Sequence, residues 1–127
     1  TPPKVLFICQ AGTVKSPVAR ELLKRRAKER GLLVNVAARG ITPEEHMSPK
    51  LLAAALADGI DPKIEPVRRL AIEDMRAADV VIYFDRPPFA SEFPGALDWT
   101  DLPSMNDGLL IAPTAHRHQP TKMTPSI

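Results

Sequence analysis

Residues 5–23 read VLFICQAGTVKSPVARELL. The first five are apolar and end on Cys9, the single cysteine of the chain. Lys4 to Cys9 is apolar, β-branched or aromatic at most positions, the composition of a short central parallel strand covered on both faces. Pro17 suits the first turn of a helix, where its missing N–H costs nothing. Val18, Leu22, Leu23 and Ala27 then recur at helical spacing, and Gly31 is a fitting left-handed cap. This stretch therefore reads as strand, tight loop and helix, with the helix beginning near Pro17.

The same alternation continues along the chain. Leu32 to Ala38 has the composition of a second strand. Ser48–Pro49 is a helix start, a cap followed by proline at the first position. Leu51, Leu52, Ala55 and Leu56 form its apolar stripe, and Gly59 ends it. Glu73 to Ala78 predicts a short third helix, Val80 to Phe84 an apolar strand ending at Asp85, and Ala96–Leu97 a last short strand. Strands alternating with helices imply a three-layer α/β/α domain around a four-stranded, mostly parallel sheet. Ligands of such sheets bind beyond the carboxyl ends of the strands. The expected domain covers residues 1–111. Residues 112–127 carry Pro113, Pro120 and Pro125 and read as a proline-rich tail without helical period. Leu109, Leu110 and Ile111 offer a compact apolar plug for an exposed flank of the sheet.

Composition excludes several classes of function. The 127 residues suit one domain. Seventeen basic and fifteen acidic residues leave a net charge of +2, too mild for a nucleic-acid partner. The basic run in ELLKRRAKERG reads as a solvated helix face. No apolar stretch approaches the roughly 20 residues of a membrane span, and no signal-peptide pattern stands at Thr1. A lone cysteine cannot close an internal disulfide, which fits a reducing compartment and a cytoplasmic location. His46, His116 and His118 lack further ligands at suitable spacing, so neither metal nor cofactor is expected.

Cys9 is placed at the exit of the first strand, in front of a loop and a helix N-terminus. Backbone N–H groups there can point inward, and the helix end adds partial positive charge. Lys15 contributes a full charge, and Ser16 can donate a hydrogen bond to the sulfur. Such an electropositive nest around a thiolate suits attack on a tetrahedral oxyanion such as phosphate. Taken alone, the same residues also describe a small buried apolar side chain followed by an ordinary helix start.

The order of the segments goes further. VLFICQAGTVKSPVARELL resembles the opening of the low-molecular-weight protein tyrosine phosphatases, whose fold is shared with thioredoxin-linked arsenate reductases. That family begins with an apolar strand and Cys-x5-Arg-Ser, usually followed by proline. HMSPKLLAAALADGID resembles its second-helix segment, AIEDMRAADVVIYFD its later helix and strand, and DWTDLPS stands where the family carries its Asp-Pro acid. The likeness runs from about Lys4 to Ser104. It implies Cys9 as nucleophile, Ser16 as the hydroxyl that steadies its thiolate, and residues Gln10, Ala11, Gly12, Thr13, Val14 and Lys15 as the phosphate loop. It implies Asp101 as general acid, with Asp98 as the alternate, and Trp99 as a wall for the substrate. Tyr83, inside an apolar run, reads as core.

Four departures stand against the family pattern. Its arginine is Lys15 here, and a lysine ammonium is a point charge that cannot reproduce a planar fork on two phosphoryl oxygens. Its loop Gly-Asn is Ala11-Gly12, which keeps a left-handed backbone path but loses bracing side-chain bonds. Its second loop cysteine is Val14. Asp-Pro has become Asp101-Leu102-Pro103.

The expected function is a cysteine-dependent phosphomonoester hydrolase, phosphotyrosine included among its substrates, acting through a phosphocysteine and slowed by Lys15. The alternative is a phosphatase-like module that binds an anion or a phosphoprotein with impaired turnover. Arsenate reduction would need further cysteines or an external thiol. Expected partners are a phosphate or sulfate oxyanion and a phosphorylated small molecule or protein. The expected assembly is a monomer or weak dimer.

Overall fold

The computed structural model describes residues 1–44 and 46–101. Strand β1, Lys4–Cys9, leads into helix α1, Lys15–Glu29, then strand β2, Asn35–Gly40, and helix α2, Pro49–Ala57. Helix α3, Ile72–Ala77, strand β3, Val80–Tyr83, a 3₁₀ turn at Ala90–Glu92 and strand β4, Leu97–Asp98, complete the order. The four strands lie in the order β2-β1-β3-β4, and every pair is parallel.

Alternation along β1 divides the core. Leu6 and Ile8 face one layer with Leu70, Met75, Val81, Tyr83 and Ala90. Phe7 and Cys9 face the other, with Ala19 and Leu23 of α1 and with Ile82, Phe84 and Trp99. Helix α2 packs behind α1 through Val18, Ala55 and Ile60. A strand apolar on both faces needs this arrangement, and the three-layer α/β/α reading is the observed fold.

Several boundaries move from their expected places. Helix α1 begins at Lys15 rather than Pro17, because the Val18 amide already donates to the Val14 carbonyl at 2.9 Å. Lys15 and Ser16 are therefore in its first turn. Strand β2 begins at Asn35, not Leu32. The Leu32 amide is still tied back to the Ala27 carbonyl, at 2.8 Å, in the turn that closes α1 around left-handed Gly31. Leu32 and Leu33 are spent on the crossing to the sheet and are 51% and 79% exposed. On α2, Ser48 occupies the N-cap without a side-chain cap bond, and Leu56 lies outside the buried stripe, 50% exposed. Tyr83 is core, as read. The 111/112 boundary, the proline-rich tail, the aliphatic plug, His116 and His118 lie outside the described residues. Among the described residues, no helix is long and apolar enough to cross a membrane.

Candidate active site

The chain leaves β1 at the point where strand order divides, with β2 on one side and β3 on the other. Crevices open at such points, beyond the carboxyl ends of the strands. Residues 10–14 fill the opening and pass directly into α1.

Backbone hydrogen bonds fix how this loop faces. The carbonyls of Cys9, Gln10 and Ala11 accept from the amides of Ile41, Thr42 and Glu44, at 3.0, 2.8 and 3.0 Å. A peptide N–H points opposite its own carbonyl, so the amides of Gln10, Ala11 and Gly12 turn away from the 41–44 segment. That segment braces the loop through backbone bonds. Gln10 Nε2 adds a bond to Thr42 Oγ1 at 3.1 Å.

Gly12 sits at φ +71°, in the left-handed region that glycine enters freely. Its neighbour across the brace is Gly40. A Cβ on Gly12 would stand 2.9 Å from both Cα and N of Gly40. The loop and the end of β2 therefore touch backbone to backbone.

The sulfur of Cys9 is buried at the base of this arrangement. The Gly12 amide donates to it at 3.1 Å. Ser16 Oγ lies 3.1 Å from the sulfur and 3.4 Å from the carbonyl oxygen of Arg39. One hydroxyl can thus donate to a thiolate, or accept from a thiol while donating to the carbonyl. Ser16 is fully buried, and its hydroxyl stands between these two partners. Thr13 is buried in the loop, while Ala11, Val14 and Lys15 are partly exposed.

Lys15 Nζ lies 3.8 Å from Asp85 Oδ1, with both side chains about a third exposed. The other oxygen of that carboxylate accepts the Gln10 amide at 2.7 Å. Asp85 was legible in the sequence only as the residue that ends the third strand. Its partners emerge from the side-by-side placement of β1 and β3.

At the end of β4, Asp98 Oδ1 accepts both the amide and the hydroxyl of Thr100, at 2.9 and 2.6 Å. Asp101 is exposed. Trp99 corrects the expected substrate wall. Its ring is 6% exposed and packs against Phe7 and Phe84, with centroids 6.5 and 5.9 Å away. Its amide donates to the Tyr83 carbonyl at 2.9 Å, continuing the ladder beyond β4 and turning the indole onto the α1 face. The largest apolar surface in the segment is worth more in that core than beside water.

Cys9 thus stands between a parallel strand and a helix N-terminus on a three-layer α/β sheet. The low molecular weight phosphotyrosine protein phosphatase family model matches residues 4–91, and the chain belongs to that family. Among solved structures it is similar to a YwlE mutant from Bacillus subtilis, at 28% identity and TM-score 0.62, covering 72% of this chain and 64% of that one. A second structure, of the YwlE arginine phosphatase, shares 27% identity at TM-score 0.61, covering 71% of this chain and 62% of that one. The thioredoxin-dependent arsenate reductase Cg_ArsC1' of Corynebacterium glutamicum shares 30% identity at TM-score 0.61, covering 78% of this chain and 52% of that one. The chain spans less than two thirds of the length of each of these three. No curated protein matches it.

Proposed function

We propose that the chain is a cysteine-dependent phosphomonoester hydrolase working through a phosphocysteine. The observation that carries this is the Cys9 sulfur, held between the Gly12 amide and the Ser16 hydroxyl at the base of a backbone-braced loop. In the first step the Cys9 thiolate forms a bond to phosphorus as the bond to the leaving oxygen breaks. Asp101 gives its proton to that oxygen. Asp101 then takes a proton from water, the water oxygen bonds to phosphorus, and the sulfur leaves as thiolate with release of phosphate. Asp98, whose Oδ1 accepts two bonds from Thr100, is the alternate for this role. Residues 11–15 of the 10–15 loop hold the equatorial oxygens, mainly through amides, while the Gln10 amide is engaged by Asp85. The cytoplasm is the expected setting, and a phosphorylated small molecule or protein the expected substrate class.

Lys15 limits the rate. Relative to an arginine fork it forgoes one or two charge-assisted bonds of about 1.5–3 kcal/mol each. If those bonds tighten in the transition state, the deficit is about 10- to 10⁴-fold. The same residue motivates a second reading, an anion-binding module with impaired turnover. The relay route of arsenate reduction lacks its further cysteines in this sequence. Hydrolysis of an aryl phosphate, a phosphotyrosine peptide and phosphoarginine by the parent and by Cys9→Ser tests the first reading. Phosphoarginine is included because a similar protein is an arginine phosphatase. Equal rates for parent and variant on every substrate would end it. Lys15→Arg separates the two readings. A rise of at least about tenfold in kcat/KM supports an enzyme lacking its fork, and no rise favours the binding module.

A further inference from the structure

Where the β1–β3 ladder ends, a side chain takes over. The last ladder bond runs from the Phe84 amide to the Ile8 carbonyl, at 2.7 Å. In a parallel ladder the Gln10 amide would next donate to the Phe84 carbonyl. It donates instead to Asp85 Oδ2, at 2.7 Å, because the strands part beyond the Ile8–Tyr83 pair. The other oxygen, Oδ1, stands 3.8 Å from the Lys15 ammonium. One carboxylate therefore reaches the first residue of the anion loop and the last.

Resting on the anion-loop reading above, we propose that Asp85 is a positioning residue that clasps both ends of the loop and aims the Lys15 ammonium across its mouth. A lysine side chain has four rotatable carbons and no planar fork, so its charge is placed by whatever it pairs with. The ammonium has three donors, and contact with Asp85 leaves donors for an oxyanion. The carboxylate also has a cost, since it is a negative charge beside an anion site. The clasp fits a loop that binds mainly through amides and uses its cation for orientation. Asp85 touches no reacting atom in this account and acts through Lys15 and the Gln10 peptide.

The test is a double-mutant cycle read by calorimetry with inorganic phosphate, which needs no turnover. Asp85→Ala is expected to raise the phosphate Kd about three- to tenfold. Lys15→Met is expected to raise it as well, but by much less in the Asp85→Ala background, because the ammonium has already lost its aim. The gain from Lys15→Arg in aryl phosphate hydrolysis should shrink in that background for the same reason. A merely structural Asp85 would lower the melting temperature and leave the Lys15 effect the same size in both backgrounds. Should Asp85→Ala fail to fold, Asp85→Asn keeps an acceptor for the Gln10 amide and removes the charge. It must then abolish the coupling to Lys15. Additive effects, or phosphate binding equal to the parent's, overturn the role of Asp85 alone. No phosphate binding by the parent overturns both the anion-loop reading and the clasp.

Discussion

At Gly40 an added Cβ would stand 2.8 Å from the carbonyl carbon and oxygen of Ala11 and 2.9 Å from the nitrogen of Gly12. Those neighbours are backbone atoms of the loop that surrounds Cys9, so they cannot give way by changing rotamer. Gly40 itself is held on its other side, its amide on the Arg68 carbonyl and its carbonyl on the Leu70 amide, both at 2.9 Å. Gly40→Ala must therefore push the loop or break those bonds. Overpacking of this kind costs about 1–3 kcal/mol. The expected result is a lower Tm together with weaker phosphate binding, measured by thermal denaturation and calorimetry. Unchanged phosphate affinity would mean that the loop path does not depend on this contact. Gly12→Ala meets the same contact from the opposite side and adds the strain of a left-handed alanine.

Helix α1 carries more than the loop's anchor. Arg20 is buried, donates from Nε to Glu21 at 2.6 Å and from Nη2 to the Pro62 carbonyl at 3.3 Å. Lys24, one turn on, hydrogen-bonds to Glu65 and lies 3.1 Å from Glu21. These contacts tie α1 to the connection that follows α2. The Lys24 hydrogen bond holds the Glu65 carboxyl below its ordinary 4.5, against the opposing effect of burial and with help from the Arg20 charge. Burial alone would lower the Lys24 ammonium, but its bonds to Glu65 and Glu21 outweigh that and raise it above 10.5. Ionised Glu65 therefore supports the fold at pH values above 4.5, and its contribution fades as the pH falls through the depressed value. Lys24 contributes through neutral pH and loses its contribution as the pH rises through its raised value. The urea midpoints of parent and Glu65→Gln should differ at pH 7 and converge on acidification. A gap that stays constant down to pH 3 would show that the ion pair is not its source. Both groups are more than a third exposed, so salt should narrow the gap at pH 7.

Across the whole molecule, two apolar layers enclose a sheet whose carboxyl edge faces the proposed site. Cys9, Asp85 and Asp98 each stand at or just past the end of a strand, and Gly40 ends β2. A ligand seated there touches the exits of several strands at once and should stabilise the native state as a unit. Phosphate at about 100 times its Kd adds about 2.7 kcal/mol to the stability of a protein that binds it only when folded. A rise of several degrees in Tm over the same ionic strength of chloride is the expected outcome. An equal rise with chloride would remove the specific anion site.

The sequence alone carried the strand–loop–helix unit, the parallel three-layer architecture, the assignment of Cys9, Ser16 and Lys15 to one turn of chain, and the core role of Tyr83. These are local facts, set by apolar periodicity, proline and glycine chemistry and the spacing of a few residues within one loop. The start of α1 moved by two residues, because the Val18 amide already reaches the Val14 carbonyl, and that of β2 by three, because the Leu32 amide stays tied to Ala27 and the pairing with β1 begins only at Asn35. Tertiary structure decided the rest. Asp85 is 75 residues from Gln10, and only the pairing of β3 with β1 brings its carboxylate to the loop. Gly40 and the 41–44 brace reach the loop only because β2 flanks β1 on the other side. Trp99, which the family resemblance implied as a substrate wall, packs in the core against Phe7 and Phe84, whose nearness is invisible in the order of residues. Short-range chemistry names the candidate group, whereas long-range packing chooses which groups stand around it.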